Sequence, residues 1–248
     1  MKIIYSLLAV LHFTFNSEAQ TVTKHVHTRE QLWLGYLNQS RFSNKVGSWV
    51  EVQHRMSDNF TDRNFLSMFR GAITYYFRDN LRLHIGYAYV HHYPATGLST
   101  ARPEHRPWQQ IFFTNKYNGY TTLQWLRLEQ RFVRKVAADV LQDDYRFNFR
   151  LRYNFSLFIP LKGKEMKEKT PFFAIIDEVF INFGKEITYN YFDQNRFFIG
   201  FGYQFSSQLN AQLGYMNVYQ QEAAGNRFVD NHCIRLFVFH NFDLRKKE

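Results

Sequence analysis

The chain has 248 residues and a formal net charge of +10, with 27 Phe and 16 Tyr against only 5 Pro and 1 Cys. That length suffices for one large domain, and a single cysteine, Cys233, excludes an intrachain disulfide and a thiolate metal cluster. Aromatic enrichment, with no sustained i, i+3, i+4, i+7 repeat past the N-terminus, predicts a body that is nearly all β. A mean hydropathy of −0.43 does not make it soluble, because alternating strands hide an apolar face in the average.

In chain order, MKIIYSLLAVLHFTFNSEAQ opens with Lys2, runs apolar from Ile3 to Phe15, and ends in Ser17-Glu18-Ala19, with small residues at the outer two places. It reads as a secretory signal peptide over 1–19, cleaved before Gln20 and too short to span a bilayer. No cysteine follows the run, so no lipid anchor is expected. A lead segment over 20–30 precedes a barrel over 31–248. Secretion makes nucleic acid the least expected reason for the positive charge, and no helix-turn-helix or zinc-finger spacing is present.

Strands are predicted at roughly 31–38, 46–56, 64–77, 81–92, 106–115, 121–134, 144–159, 171–183, 194–205, 209–220 and 231–242. FRGAITYYFRDNLRLHIGYAY, residues 69–89, shows the pattern most plainly. Phe69, Ile73, Tyr75 and Phe77 lie on one parity and Arg70, Ala72, Thr74 and Tyr76 on the other. Across the hairpin, Phe77 should face Leu81, Tyr76 should face Arg82 and Thr74 should face His84. In YRFNFRLRYNFSLFIP the second parity carries Arg146, Arg150 and Arg152, too charged for a soluble β core. Glu129 on the preceding strand is expected beside Arg150.

Each predicted strand approaches or exceeds the ~9–11 residues of a tilted transmembrane strand. The connections alternate. Short ones fall at 43–44, 78–80, 117–119 and 206–208, with the lysine-rich 160–170 as the exception in length. Longer ones fall at 57–63, 93–105, 135–143, 184–193 and 221–230. Short periplasmic turns and longer extracellular loops are the habit of Gram-negative outer-membrane barrels. The expectation is an antiparallel transmembrane β-barrel of about 12 strands (10–12). Eleven are counted, and TVTKHVHT at 21–28 is taken as the twelfth because single-chain bacterial barrels use even numbers.

EQLWLGYLNQSRFSNKVGSWVEVQHR, RLEQR after a Trp, DEVFIN at 177–182, FDQNRFFIGFGYQFS at 192–206 and the late NHCIRL resemble the outer-membrane proteins grouped as domain of unknown function 2490. The resemblance implies a β-barrel in the bacterial outer membrane, in contact with lipid and delivered by the barrel-assembly machinery. It implies no assigned activity, ligand, cofactor or catalytic residue.

The charged set Glu51, Arg55, Arg70, Arg82, Arg127, Glu129, Arg131, Arg146, Arg150, Arg152, Glu178 and Arg196 falls mainly on the parity opposite the apolar one. It is expected to line the lumen, either as a porin-like path for anions or as a salt-bridge network filling a narrow barrel. Asp177 and Glu178 must point to opposite faces, one of them near a rim. His91, His92, His105, His232 and His240 raise the alternative of a lipid-modifying barrel enzyme, but no Gly-x-Ser-x-Gly elbow accompanies them. His25 and His27 share a strand face and are read as solvated rather than as metal ligands. The remaining alternative, a secreted lipocalin-like barrel, requires the apolar parity inside.

Overall fold

The computed structural model describes residues 23–187, 191–222 and 224–245, so the expected signal peptide lies outside the described residues. Eleven strands form among them: β1 His25–Arg41, β2 Val46–Ser57, β3 Arg63–Arg78, β4 Leu81–His92, β5 Arg102–Tyr117, β6 Tyr120–Ala137, β7 Val140–Pro160, β8 Thr170–Phe183, β9 Phe192–Gln204, β10 Leu209–Gln221 and β11 Arg227–Asp243. Each pairs antiparallel with its neighbours in sequence, and β1 pairs in parallel with β11 to close the ring.

The count is eleven rather than the favoured twelve. Residues 25–28 do not make a separate strand but extend β1, where His25 to Thr28 pair with Arg227 to Asp230. An odd number of strands joined antiparallel in sequence leaves the first and last running the same way, so closure in parallel needs no twelfth member.

Alternation decides which residues face where. Glu51, Arg70, Arg127, Glu129, Arg150 and Arg152 are buried, whereas Phe69, Ile73, Ile85, Tyr87, Phe201 and Leu213 are exposed, Ile73 to 70%. The apolar parity therefore covers the outside and the polar parity fills the inside, the reverse of a lipocalin. Tyr76 faces Arg82 and Thr74 faces His84 as predicted. Phe77 does not face Leu81: the ladder slips between Tyr76 and Arg78, and Arg78 takes that place. The bulge absorbs one residue, so the polar turn shortens to Asp79-Asn80.

One rim carries 42–45, 79–80, 118–119, 161–169 and 205–208. The other carries the start of β1 with 58–62, 93–101, 138–139, 184–187, 191, 222 and 224–226. The expected longer loop at 135–143 is instead a two-residue turn, Ala138-Asp139, both left-handed at φ 48° and 56°, as a tight hairpin of the mirror-image type requires. β6 and β7 run on to reach it. The loop 93–101 bends over β5 onto this turn, where Asp139 accepts from the Ser99 hydroxyl at 2.7 Å and from the Ser99 and Thr100 amides, both at 2.9 Å. These bonds, the Ser99 hydroxyl first, hold the Asp139 carboxyl down to about 2.

Candidate functional site in the lumen

The inward parity of β2, β3, β6, β7, β8 and β9 delivers one connected network. Glu129 on β6 sits at its centre. Its Oε2 accepts from Arg150 Nη2 at 2.5 Å and Nε at 2.9 Å, and its Oε1 accepts from Arg152 Nη1 at 2.6 Å and from Arg70 Nη2 at 3.4 Å. Arg127 Nη1 lies 3.7 Å from the same carboxylate. Arg70 also gives its Nη1 to Glu51 at 2.8 Å, tying β3 both to its neighbour β2 and, across the lumen, to β6. Glu178 takes Arg152 at 2.5 Å and stands 3.9 Å from Arg196, while Asp193 takes Arg150 at 3.1 Å.

Eight of the twelve predicted residues are thus in one network: Glu51, Arg70, Arg127, Glu129, Arg150, Arg152, Glu178 and Arg196. A carboxylate in a low-dielectric interior is tolerable when its lone pairs are occupied by cationic donors, and Glu129 uses both oxygens fully. The expected Glu129–Arg150 neighbourhood is an ordinary cross-strand pair. Burial of one carboxylate among four guanidiniums also explains why the excess of arginine does not push the strands apart.

The other four predicted residues go elsewhere. Arg131 joins a second cluster around Glu104, which accepts from it at 2.6 Å and from Arg106 at 2.5 Å, with His92 Nε2 at 2.9 Å. Arg55 lies flat on the Trp33 ring at 3.4 Å and bonds Gln53 at 2.8 Å. Arg82 lies on the Phe112 ring at 3.7 Å with no ion pair among the described residues. Arg146 has none either and lines the mouth on the 93–101 side. Glu178 points inward and Asp177 outward, bonded to Asn195 at 2.8 Å, but both lie mid-strand on β8 rather than at a rim.

Glu104, Arg106, Asp193 and Arg235 were not anticipated. Extending the period-two pattern of β5 backward through RPEHRPW places Glu104 and Arg106 inside, a signal masked by Pro103 and Pro107. Arg235 stacks on Phe198 and Phe237, each at 4.3 Å.

Two cavities meet at the network and share Glu51, Gln53, Arg70, Arg152 and Arg196 as walls. The one toward the longer loops holds about 490 Å³ and is lined by eleven arginines and four carboxylates. The other, toward the short turns, holds about 310 Å³ and is walled by Trp33, Trp49, Trp125, Phe112, Phe172 and Phe198 together with Arg82, Arg127 and Arg235. The long turn 161–169 folds over this second mouth. Met166 packs against the aromatic cluster, Gly119 N donates to the Lys164 carbonyl at 3.0 Å, and Ser207 N donates to Glu168 at 3.0 Å.

No group of three or more metal-binding side chains is present among the described residues. Of the histidines considered, His92 is inside on Glu104. His105 is on Tyr87, His232 bonds Tyr215 at 2.6 Å and His240 bonds Tyr36 at 3.1 Å, all at exposed positions.

A family model described as protein of unknown function (DUF2490) matches residues 30–229. No curated protein and no solved structure matches the chain. The matched span takes in almost the whole ring, from the first half of β1 into β11, and the chain belongs to the DUF2490 family of proteins of unknown function.

Proposed function

We propose that the chain is an integral outer-membrane β-barrel, occluded at its waist by the Glu129 network, which holds small anions in the basic chamber on its longer-loop side. The carrying observation is the division of parities: large apolar side chains cover the outside while the charged residues are buried inside. Strands of 12 to 21 residues exceed what a tilted crossing requires. Lipid is the partner that such an exterior demands, and delivery by the barrel-assembly machinery follows from the class. The arginines act as a filling network first, with Arg102 and Arg146, free of ion pairs among the described residues, as the cations that meet an incoming anion.

Heat-modifiable migration in detergent tests the membrane reading, and a protein that stays monodisperse without detergent overturns it. Ile73→Arg should cost roughly 2–4 kcal/mol of barrel stability if the outside faces lipid near the midplane. In planar bilayers the folded protein should be silent. Steady anion-selective conductance would replace the occluded barrel with an open pore.

A further inference from the structure

The outside of the barrel is mostly apolar, broken by polar pairs such as Asp177–Asn195, Gln109–Gln130 and Asn217–Asp230, and near the longer-loop rim by a larger polar group. His54 on β2, Ser67 on β3 and His91 on β4 form one cross-strand row. Ser67 Oγ is 2.9 Å from His54 Nδ1, and His54 Nε2 is 3.1 Å from Asn64 Oδ1. A single tautomer satisfies both contacts: Nδ1 accepts from the serine hydroxyl while Nε2–H donates to the asparagine. Tyr93, just past β4, places its hydroxyl 3.1 Å from Ser67 Oγ and its ring edge-on to His54.

A β-bulge builds this group. The β2–β3 ladder slips between Arg55 and Met56, pairing Arg55 with Leu66 but Met56 with Asn64. Phe65 is the extra residue and packs inward beside Leu66, Met68 and Val90. Without the slip, Asn64 would share the inward parity of Leu66. With it, Asn64 and Ser67 both face out, beside His54. Bulges commonly re-aim a side chain in this way next to active sites.

We propose that Ser67, His54 and Asn64 form an acyl-transfer centre that cleaves ester-linked acyl chains of membrane lipid. The proposal rests on the outside of the barrel facing lipid. Ser67 Oγ attacks the ester carbonyl carbon as its proton passes to His54 Nδ1, and the oxyanion that forms takes a hydrogen bond from the Tyr93 hydroxyl. The carbonyl re-forms, the C–O bond to the lipid alcohol breaks, and that oxygen leaves with the proton from His54. Water, giving a proton to His54, then attacks the acyl-serine, releasing a free fatty acid and restoring Ser67. Asn64 is a positioning residue that fixes the histidine tautomer.

The surface below the group suits a fatty chain. The next outward row is Val52, Phe69 and Tyr89, and the one after is Val50, Gly71 and Tyr87. A Cβ at Gly71 would meet nothing within 4 Å, so the row has a notch between two large side chains, leading from Ser67 toward the exposed Ile73 and Ile85. Ser67 lies four residues past the start of β3, roughly 13 Å along the strand at about 3.3 Å per residue, in the half of the strand toward the longer-loop rim.

The test uses the full chain in detergent micelles, its folding checked by heat-modifiable migration. An alkyl fluorophosphonate should label Ser67, and mixed micelles of phosphatidylethanolamine or, separately, of lipopolysaccharide should release fatty acid. Release from one and not the other assigns the lipid. Ser67→Ala should abolish both readouts, and His54→Ala should lower both by ~10²–10⁴-fold. Asn64→Ala should shift the pH–rate profile, with Asn64→Asp restoring it. Gly71→Leu should lower release from long-chain lipid more than labelling by a short-chain probe. Folded protein whose Ser67 is unlabelled and which releases no fatty acid from either lipid overturns the proposal, as does labelling indifferent to His54. Failure of heat-modifiable migration would instead strike at the membrane reading.

Discussion

The two halves of the lumen use the same residue in opposite ways. Toward the longer loops, arginines meet carboxylates: Arg150 and Arg152 on Glu129, Arg106 and Arg131 on Glu104. Toward the short turns they meet aromatic faces, Arg82 on Phe112 at 3.7 Å and Arg235 on Phe198 and Phe237 at 4.3 Å. A guanidinium is planar and weakly hydrated, so either partner serves, but the consequences differ. Ion pairs fix the geometry around Glu129 and Glu104 in the first half, while Arg102 and Arg146 at its mouth stay free of them among the described residues. Stacking leaves the second half cationic yet greasy, with donors such as Arg82 Nε still unused.

Breaking the comparison at its centre should have the largest effect. Glu129→Gln leaves Arg70, Arg127, Arg150 and Arg152 facing one another, and should cost roughly 3–5 kcal/mol in urea unfolding from detergent micelles. Arg106→Met should be milder, at about 1.5–3 kcal/mol, because Glu104 keeps Arg131 and His92. In the aromatic half the sign should change. Arg82→Met removes a half-buried cation that has no carboxylate partner, and should leave stability equal or raise it by about 1 kcal/mol. A loss as large as that of Glu129→Gln would show that stacking is equivalent to ion pairing here.

The smallest effect lies outside both halves and sharpens the contrast by titrating a solvated carboxylate. Asp139 has its folded value depressed from 3.8 to about 2, so the docking of loop 93–101 is fully present above 3.8 and lost as pH falls toward 2. Hydrogen exchange at the Ser99 and Thr100 amides, corrected for intrinsic rates, should lose protection across that window. Asp139→Asn should remove most of the dependence.

Ladder neighbours were legible in the sequence because parity and turn position fix register. Tyr76–Arg82 and Thr74–His84 follow from counting outward from a three-residue turn, whereas Glu129–Arg150, which lies beyond a register shift, follows from charge complementarity between adjoining strands. Contacts across the lumen were not. Arg70 and Glu129 are 59 residues apart and meet only because the ring closes at a particular width. Departures from period two hid the rest. Pro107 interrupts the β5–β6 ladder near Glu104 and Arg106, and slips at Phe180/Ile181 and Arg55/Met56 change which residues face inward around Asp193 and Asn64. Counting outward from the β2–β3 hairpin would set His54 opposite Leu66, and only the bulge at Arg55/Met56 brings Ser67 there, so the His54–Ser67 row was not legible in the sequence.

The parallel seam between β1 and β11 has a kinetic consequence. Every other ladder joins strands adjacent in sequence and closes a short loop, whereas the seam pairs His25 with Arg227 and holds register through Arg41 and Asp243. Bringing together segments some two hundred residues apart carries the largest chain-closure entropy in the molecule, and parallel pairing returns slightly less per residue. The hairpins can therefore zip in order of synthesis while the two outermost strands wait with unpaired edges. A shift of one residue there would turn Trp33 and Cys233, both buried, toward the outside. The fidelity of folding is concentrated in this last step, and the length of the seam, 17 residues in each strand, is what makes the correct register outcompete its neighbours.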